Sequence, residues 1–252
     1  MVAMKETFAP IKKRPAYALV FEAIERKSLA GDLEVGAALP TEHELCEQFG
    51  VQRSTVREGV RLLEQSGLVR REGGKRLHVV RPRSSEEAER ARRGLTRHGV
   101  SFAEVWESML MVLPQIARKA AMRSEPATHE ALEAITARLR EATEALEIVE
   151  LTGAYYEAMT KAVGNRLLDV VLKSMNKLTH PSLLAVVEQL PEPGGRSAKM
   201  QAAITEALRG RDPDSAARFT EKHLTDMRRG YAVAGVPIDA EIGVYEASGE
   251  AT

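Results

Sequence analysis

A short stretch near the N-terminus most restricts how this chain can fold, because its apolar and basic residues occupy opposite faces of one helix. Val56, Val60 and Leu63 recur at i, i+4 and i+7, the spacing that buries one side of an α-helix. The opposite side carries an arginine at every fourth residue: Arg53, Arg57 and Arg61. We therefore predict a helix over residues 53–65 that packs on its valines and leucine and presents three guanidinium groups outward.

Local signals place two more helices before it and a hairpin after it. Thr41 and Glu44 form a capping box, which begins a helix at Thr41 that Gly50 ends. An earlier amphipathic helix covers residues 17–30, and two short strands over residues 68–80 flank the glycine turn Gly73-Gly74. Three helices followed by a hairpin predict a winged helix-turn-helix over residues 1–82.

The charge distribution of this segment favours an anionic partner. The chain as a whole is neutral, but residues 1–83 hold 15 Lys and Arg against 11 Asp and Glu, and residues 53–83 hold nine basic and three acidic residues. Such a cluster suits phosphate neutralisation, and an arginine fork at the start of a helix matches guanine in the major groove. The alternative is that the arginines are solvated or paired with Glu58 and Glu64.

The same residues carry a specific family resemblance. The residues that carry it are Gly31-Asp32-Leu33, Gly36, Leu39-Pro40-Thr41-Glu42, Glu44-Leu45, Phe49-Gly50-Val51-Gln52-Arg53-Ser54-Thr55-Val56-Arg57-Glu58, Arg61-Leu62-Leu63 and Gly67-Leu68-Val69. This string closely resembles the DNA-binding domain of the GntR family of transcription regulators. The resemblance implies a homodimer bound to double-stranded operator DNA.

The resemblance also assigns roles to individual residues. It implies base and phosphate contacts from Arg53 and Arg57, with Arg61 on the same face, phosphate contacts from Ser54 and Thr55, and a wing tip that approaches the minor groove. The expected DNA-binding set is His43, Arg53, Ser54, Thr55, Arg57, Arg61, Gly73, Gly74 and Lys75. Two departures are His43, where the family often has Arg, and Gln52, where Ser or Thr commonly caps the next helix.

The rest of the chain shows a helical pattern almost throughout. We predict a linker over residues 83–99, an antiparallel bundle of six or seven helices over 100–231 and a tail over 232–252. The predicted breaks include one near residue 150, between helices 128–149 and 151–163, and one before Pro181, between helices 166–178 and 181–189. The expected fold class is thus mainly α, with a small β-wing.

This second segment resembles, more weakly, the effector domain of the FadR-like branch of the GntR family, known as the FCD domain. The residues that carry this resemblance are Glu107 and Pro114 in the first helix, Ala162-Val163-Gly164-Asn165 between two helices, and Ala207-Leu208 through Asp212, Ala217 and His223-Leu224. Many members of this branch hold a divalent metal with one Asp and three His. Those positions fall here on Thr152, Tyr156, Gln201 and His223, so we predict no metal and no other cofactor.

The effector pocket that the resemblance implies is also altered. A common Arg of the first bundle helix falls on Met109, and an acid near it falls on Leu113. The expected effector-binding set is Met109, Leu113, Thr152, Tyr156, Gln201 and His223. This lining predicts an apolar effector such as an acyl-CoA, a lipid or a steroid-like molecule. Two alternatives stay open, ordinary core packing and a metal-bound small carboxylate.

Other function classes find little support in the sequence. There is no nucleophile elbow, phosphate-binding glycine loop or paired-carboxylate motif, so we predict that the chain is not an enzyme. We also expect a cytoplasmic location and no membrane partner, because the chain has no apolar run of about 20 residues. A DNA-binding protein without sequence specificity is the remaining alternative.

Overall fold

The computed structural model describes residues 14–72 and 76–249. Within these ranges the chain forms eleven helices and one two-stranded antiparallel sheet, and it divides between residues 83 and 84 into two compact units. The mainly α fold class with a small β-wing is confirmed. None of the described helices is both long enough and apolar enough to cross a bilayer.

The N-terminal unit contains three helices and a hairpin: α1 (Ala16–Ala30), α2 (Glu42–Phe49), α3 (Arg53–Ser66), β1 (Val69–Glu72) and β2 (Arg76–Val79). The capping box at the start of α2 is formed, since the Thr41 backbone N–H donates to Glu44 Oε2 at 2.7 Å and Thr41 Oγ1 accepts from the Glu44 backbone N–H at 3.3 Å. The Thr41 hydroxyl also donates to Glu44 Oε2 at 2.8 Å, and the backbone N–H and hydroxyl of Thr41 together lower the pKa of the Glu44 carboxyl. Gly50 ends α2 in the left-handed conformation at φ 62°.

The core of this unit lies where α1 crosses α3. Val56, Val60 and Leu63 are fully buried, as their helical spacing predicts. Gly59 allows the close crossing, because a Cβ there would lie 2.9 Å from Val20 Cγ1 on α1. The buried side of α3 is thereby fixed against the unit's own core.

The hairpin pairs Val69 with Val79 and Glu72 with Arg76, and a further bridge joins Ala38 to His78. Leu77 and Val79 point into the core, so the strands form one wall of the unit. The predicted wing tip, Gly73, Gly74 and Lys75, lies outside the described residues.

The C-terminal unit is a helical bundle. Its helices are α4 (Ser84–Arg97), α5 (Phe102–Arg123), α6 (Pro126–Glu141), α7 (Ala145–Val163), α8 (Arg166–Glu188), α9 (Pro193–Arg209), α10 (Pro213–Ala234) and α11 (Ile242–Gly249). Aromatic residues fill the centre, where the rings of Trp106 and Tyr231 meet edge to face at 5.8 Å. The hydroxyl of Tyr231 lies 2.7 Å from Ser182 Oγ, and burial raises its pKa to about 12.

Two predicted breaks between helices are wrong. Helix α7 begins at Ala145, so the break lies at residues 142–144 instead of near residue 150. Pro181 lies inside an unbroken α8. Proline removes one N–H from a helix, but here Leu178 and Leu183 are buried on either side of it, and the packing of this face holds the helix together.

Helix α4, which occupies most of the predicted linker, packs on α8. Glu89 on α4 accepts a hydrogen bond from Lys177 on α8 at 3.2 Å. It also accepts hydrogen bonds from Arg92, and these are the main cause that lowers the pKa of Glu89 to about 2. Arg92 in turn pairs with Glu246 on α11 at 3.0 Å. The segments predicted as linker and tail thus both contain helices of the C-terminal unit.

Candidate DNA interface and effector cavity

The outer face of α3 carries the basic residues that the sequence predicts there. Arg53, Ser54, Arg57 and Arg61 are exposed, and Thr55 is half-buried. Because the inner face packs on α1, these side chains face solvent and can reach an external ligand. The structure therefore brings five of the nine predicted DNA-binding residues onto one helix.

Two of the three arginines hold a carboxylate nearby. Arg53 Nε lies 3.3 Å from Glu42 Oε2, and Arg61 Nη2 lies 2.6 Å from Glu58 Oε1, a contact that lowers the pKa of Glu58. Among the described residues, Arg57 takes part in no ion pair. Of the two parts of the alternative, pairing describes Arg61 with Glu58, and solvation describes the exposed Arg57.

The N-terminus of α3 differs from that of α2. Gln52 precedes α3 without a side-chain cap, and the first turn contains no acidic residue, whereas Glu42 and Glu44 occupy the first turn of α2. Backbone N–H groups at an uncapped helix start carry partial positive charge. The start of α3, with Arg53 beside it, is therefore the more favourable place for a phosphate.

His43 is the other described residue of the predicted DNA-binding set, and it lies on α2. The side chain of His43 on α2 is 85% exposed, and its Nε2 lies 3.5 Å from Glu47 Oε1. Sequence reasoning did not single out Arg76, which is exposed at the start of β2 and contributes to lowering the pKa of Glu44. Its position directly after the glycine turn was the available signal.

The C-terminal unit contains two neighbouring cavities, of about 390 and 330 Å³. The larger, called here the α9 cavity, is lined by α7, α8, α9 and α10; the smaller, called the α5 cavity, is lined by Met109 of α5 together with α7, α8 and Met227 of α10. Val149, Thr152, Leu183 and Met227 line both cavities. Each volume falls in the range of small-molecule sites.

A buried pair lies between the cavities. Tyr156 lines the α5 cavity, His223 lines the α9 cavity, and the Tyr156 hydroxyl lies 2.8 Å from His223 Nδ1. Burial lowers the pKa of His223 to about 4 and raises that of Tyr156, so both side chains are neutral at pH 7. His223 Nε2 has no hydrogen-bond partner among the described residues.

Four of the six predicted effector-binding residues line these cavities: Met109, Thr152, Tyr156 and His223. Leu113 and Gln201 line neither of the two. Leu113 is fully buried in the core, and Gln201 accepts from Thr136 Oγ1 at 3.4 Å and, through its backbone carbonyl, from the Tyr155 hydroxyl at 2.9 Å. Leu113 thus packs in the core, whereas Gln201 joins α9 to α6 and α7 and keeps its buried Nε2 without a hydrogen-bond partner among the described residues.

The metal that the FadR-like resemblance implies does not fit this site. The four corresponding positions offer a threonine hydroxyl, a glutamine amide, one neutral imidazole and the Tyr156 phenol, whose raised pKa disfavours the phenolate. Structural and catalytic sites for divalent transition metals use several His, Cys or carboxylate ligands. In residues 14–72 and 76–249 no group of three such side chains comes together.

The structure also shows a feature at the α9 cavity that sequence reasoning missed. Arg196, Lys199 and Lys222 line it, together with one carboxylate, Asp226. The sequence placed the start of the corresponding helix at residue 197, after Arg196, whereas α9 begins at Pro193. The helical spacing of Arg196 and Lys199 was therefore not recognised.

Comparison with known proteins agrees with both halves of this description. Residues 16–79 match the family of bacterial regulatory proteins called gntR, and residues 104–226 match the FCD domain. The chain is 26% identical over 227 residues to the Glc operon transcriptional activator of Escherichia coli K12, an alignment that covers 86% of this chain and 89% of that protein.

Two further similarities concern a repressor and a solved structure. The chain is 28% identical over 229 residues to the transcriptional repressor NanR of Salmonella schwarzengrund, with 86% of this chain and 85% of that protein covered. The structure of a Streptococcus agalactiae GntR protein is similar in fold, with a TM-score of 0.58 at 23% identity over 84% of this chain and 99% of that one. The chain is therefore a member of the GntR family of bacterial transcription regulators, in the FadR-like subfamily whose effector domain is an FCD domain.

Proposed function

We propose that the chain binds a near-palindromic operator as a homodimer, with α3 in the major groove, and that a small apolar effector in the C-terminal unit controls this binding. The observation that carries the first part is the fixed orientation of α3. Because its valines and leucine are fully buried, Arg53, Arg57 and Arg61 on the opposite face point outward.

In this proposal the residues of the interface have different tasks. Arg53 and Arg57 lie in the first two turns of α3, where a helix in the major groove comes closest to base edges. Ser54, Thr55 and the uncapped N–H groups of the first turn bind phosphate, and Arg61 adds charge further along. Further contacts along the DNA backbone come from His43, from Arg76 and from the wing tip with Gly73, Gly74 and Lys75.

A dimer follows from the geometry of such sites. Two copies of α3 related by a two-fold axis read two half-sites about one DNA turn apart. The effector then acts without chemistry, because it only has to bind one arrangement of the dimer better than another. If the effector binds better to an arrangement in which the spacing of the two α3 helices no longer matches the half-sites, it lowers the affinity for the operator.

The chemistry of the cavities supports an apolar effector. Nine of the sixteen residues that line the α9 cavity are Ile, Val, Leu, Pro or Met, and Met109 and Leu183 line the α5 cavity. An acyl, lipid or steroid-like molecule suits such walls, with Thr152, Tyr156 and His223 as neutral hydrogen-bonding groups. The alternative effector, a small carboxylate bound through a metal ion, is disfavoured because this site lacks the ligands that the metal would need.

Selection from a random pool of duplex DNA with the purified full chain tests the DNA-binding proposal. We expect enrichment of one site with two-fold symmetry and retention of it at salt concentrations that release random DNA. Enrichment of no sequence, with equal salt sensitivity for all DNA, would establish the alternative of a nonspecific binder.

Native mass spectrometry of the chain purified from cells tests the effector proposal separately. We expect a bound organic molecule that organic solvent extracts and that shifts operator affinity when added back. Recovery of a small di- or tricarboxylic acid together with a stoichiometric divalent metal would contradict an apolar effector.

A further inference from the structure

The α9 cavity combines apolar walls with unneutralised positive charge. We infer that its ligand is an anionic amphiphile, with an apolar body between α7, α8 and α10 and a carboxylate, sulfate or phosphate head held by Arg196 and Lys199. This inference rests on the proposal that the cavity is the effector site, and it adds the chemical class of the ligand.

The cations at this cavity are not equivalent. Lys222 Nζ lies 3.4 Å from Asp226 Oδ2, and Arg229 lies 3.5 Å from the other oxygen of the same carboxylate. The single acid of the lining is thus shared by two cations of its own helix. Arg196 and Lys199 are exposed and take part in no ion pair within the described part of the chain. These two side chains are therefore available for an anion.

The geometry of α9 adds to this charge. Arg196 and Lys199 are three residues apart, so they lie on the same side of the helix, and both line the cavity. The first turn of α9 contains no acidic residue, and Glu192 before it makes no side-chain cap to the backbone. The positive end of the helix dipole thus lies beside the two cations.

The inner part of the cavity is unsuited to an anion. His223 is 2% exposed and neutral, and its Nε2 has no partner in the described residues. Thr152, 5% exposed, is the other buried polar residue of the lining. An unpaired charge buried there would lose its hydration without compensation. A neutral hydroxyl or carbonyl on the ligand can instead bond to His223 Nε2, which leaves the charged head at Arg196 and Lys199.

Matched acids and alcohols separate the role of charge from that of the apolar body. Straight-chain carboxylates from octanoate to palmitate, and the alcohols of the same lengths, are titrated into the full chain by calorimetry. We expect at least one acid to bind roughly tenfold or more tightly than its alcohol, because hydrogen bonds to charged groups are the stronger ones. A higher salt concentration is expected to weaken binding of the acid and to leave binding of the alcohol unchanged.

Two double variants with equal loss of charge locate the effect. Arg196→Gln with Lys199→Gln removes the preference for the acid and leaves alcohol binding unchanged. Lys119→Gln with Arg228→Gln, which removes two exposed cations that do not line the α9 cavity, retains the preference. The substituted side chains are all exposed, and circular dichroism checks that each variant is folded.

Several outcomes would overturn the inference. They are equal binding of acids and alcohols, binding of neither, and an equal loss in both double variants. None of them bears on operator selection or on the ligand recovered from cells. Failure of the inference is therefore distinguishable from failure of the proposed function.

Discussion

Arg53 Nε lies 3.3 Å from Glu42 Oε2, so the first residue of α3 is paired with the first residue of α2. The Arg53 side chain is 78% exposed, and surface pairs of this kind contribute at most about 1 kcal/mol. A bidentate contact between arginine and guanine discriminates by about 1–3 kcal/mol. In the proposed complex a guanine contact therefore outweighs this pair, so we expect Arg53 to exchange Glu42 for the base.

This comparison predicts the effect of replacing Arg53 with alanine. We expect operator affinity to fall by about 1–3 kcal/mol and the preference at one base position of each half-site to relax. Binding to an operator series with single base changes, measured by fluorescence anisotropy, checks both effects. Lys75→Ala at the predicted wing tip is the control, and it weakens all sequences alike. An unchanged affinity in Arg53→Ala would show that another element occupies the groove.

Arg57 and Arg61 provide a second, matched comparison on the same face of α3. Arg57 has no ion pair among the described residues, whereas Arg61 is held by Glu58 at 2.6 Å. Arg57→Ala is therefore expected to reduce operator affinity more than Arg61→Ala. It is also expected to make the negative slope of log affinity against log salt shallower by about one. A larger effect of Arg61→Ala would contradict the assignment of Arg57 to the interface.

The neutral imidazole of His223 predicts a dependence of stability on pH. In the unfolded chain His223 has the ordinary pKa of about 6.5, whereas burial lowers it to about 4 in the folded protein. Between these values the unfolded state binds more protons than the folded state. The contribution of His223 to stability is therefore fully present above pH 6.5, and it is lost as the pH decreases toward 4. The expected slope from this group is at most about 1.4 kcal/mol per pH unit.

Urea unfolding followed by the fluorescence of Trp106, the single tryptophan, measures this dependence in the C-terminal unit. His223→Gln is expected to remove the contribution of this residue. Tyr156→Phe leaves His223 Nδ1 unpaired and lowers stability by about 1–3 kcal/mol, yet it retains the slope, because burial is the main cause of the lowered pKa. An identical pH profile in His223→Gln and the unaltered chain would contradict this prediction.

Two adjacent glycines at the start of α9 test how closely the helices pack. A Cβ on Gly194 would lie 2.7 Å from the Leu139 carbonyl oxygen and 2.9 Å from that of Ala142, whereas a Cβ on Gly195 meets nothing within 4 Å. Gly194→Ala is expected to cost about 1–3 kcal/mol of stability, because backbone must move to make room. Gly195→Ala is expected to be neutral or to stabilise by up to about 1 kcal/mol through its helical propensity. Equal midpoints of thermal unfolding would contradict this packing.

Local sequence determined much of the N-terminal unit. The Thr41–Glu44 capping box, the glycine that ends α2 and the four-residue repeat of arginines involve neighbours within one helical turn. Their hydrogen bonds and facing directions are therefore encoded in short stretches of chain. The break between α6 and α7 escaped recognition because residues 142–144, Ala-Thr-Glu, contain neither glycine nor proline. Pro181 misled in the opposite sense, since burial of α8 outweighed the missing hydrogen bond.

Tertiary structure alone decided which side chains meet in the C-terminal unit. Tyr156 and His223 are 67 residues apart in the chain, yet they share one hydrogen bond between two cavities. Gln201 on α9 bonds to Thr136 on α6, and Arg196 and Lys199 come to line the cavity that His223 also lines. Helical periodicity fixes which face of a helix is buried, but not which residue of another helix lies opposite. That choice depends on packing between segments distant in sequence, where crossing angles and offsets are set by the whole bundle.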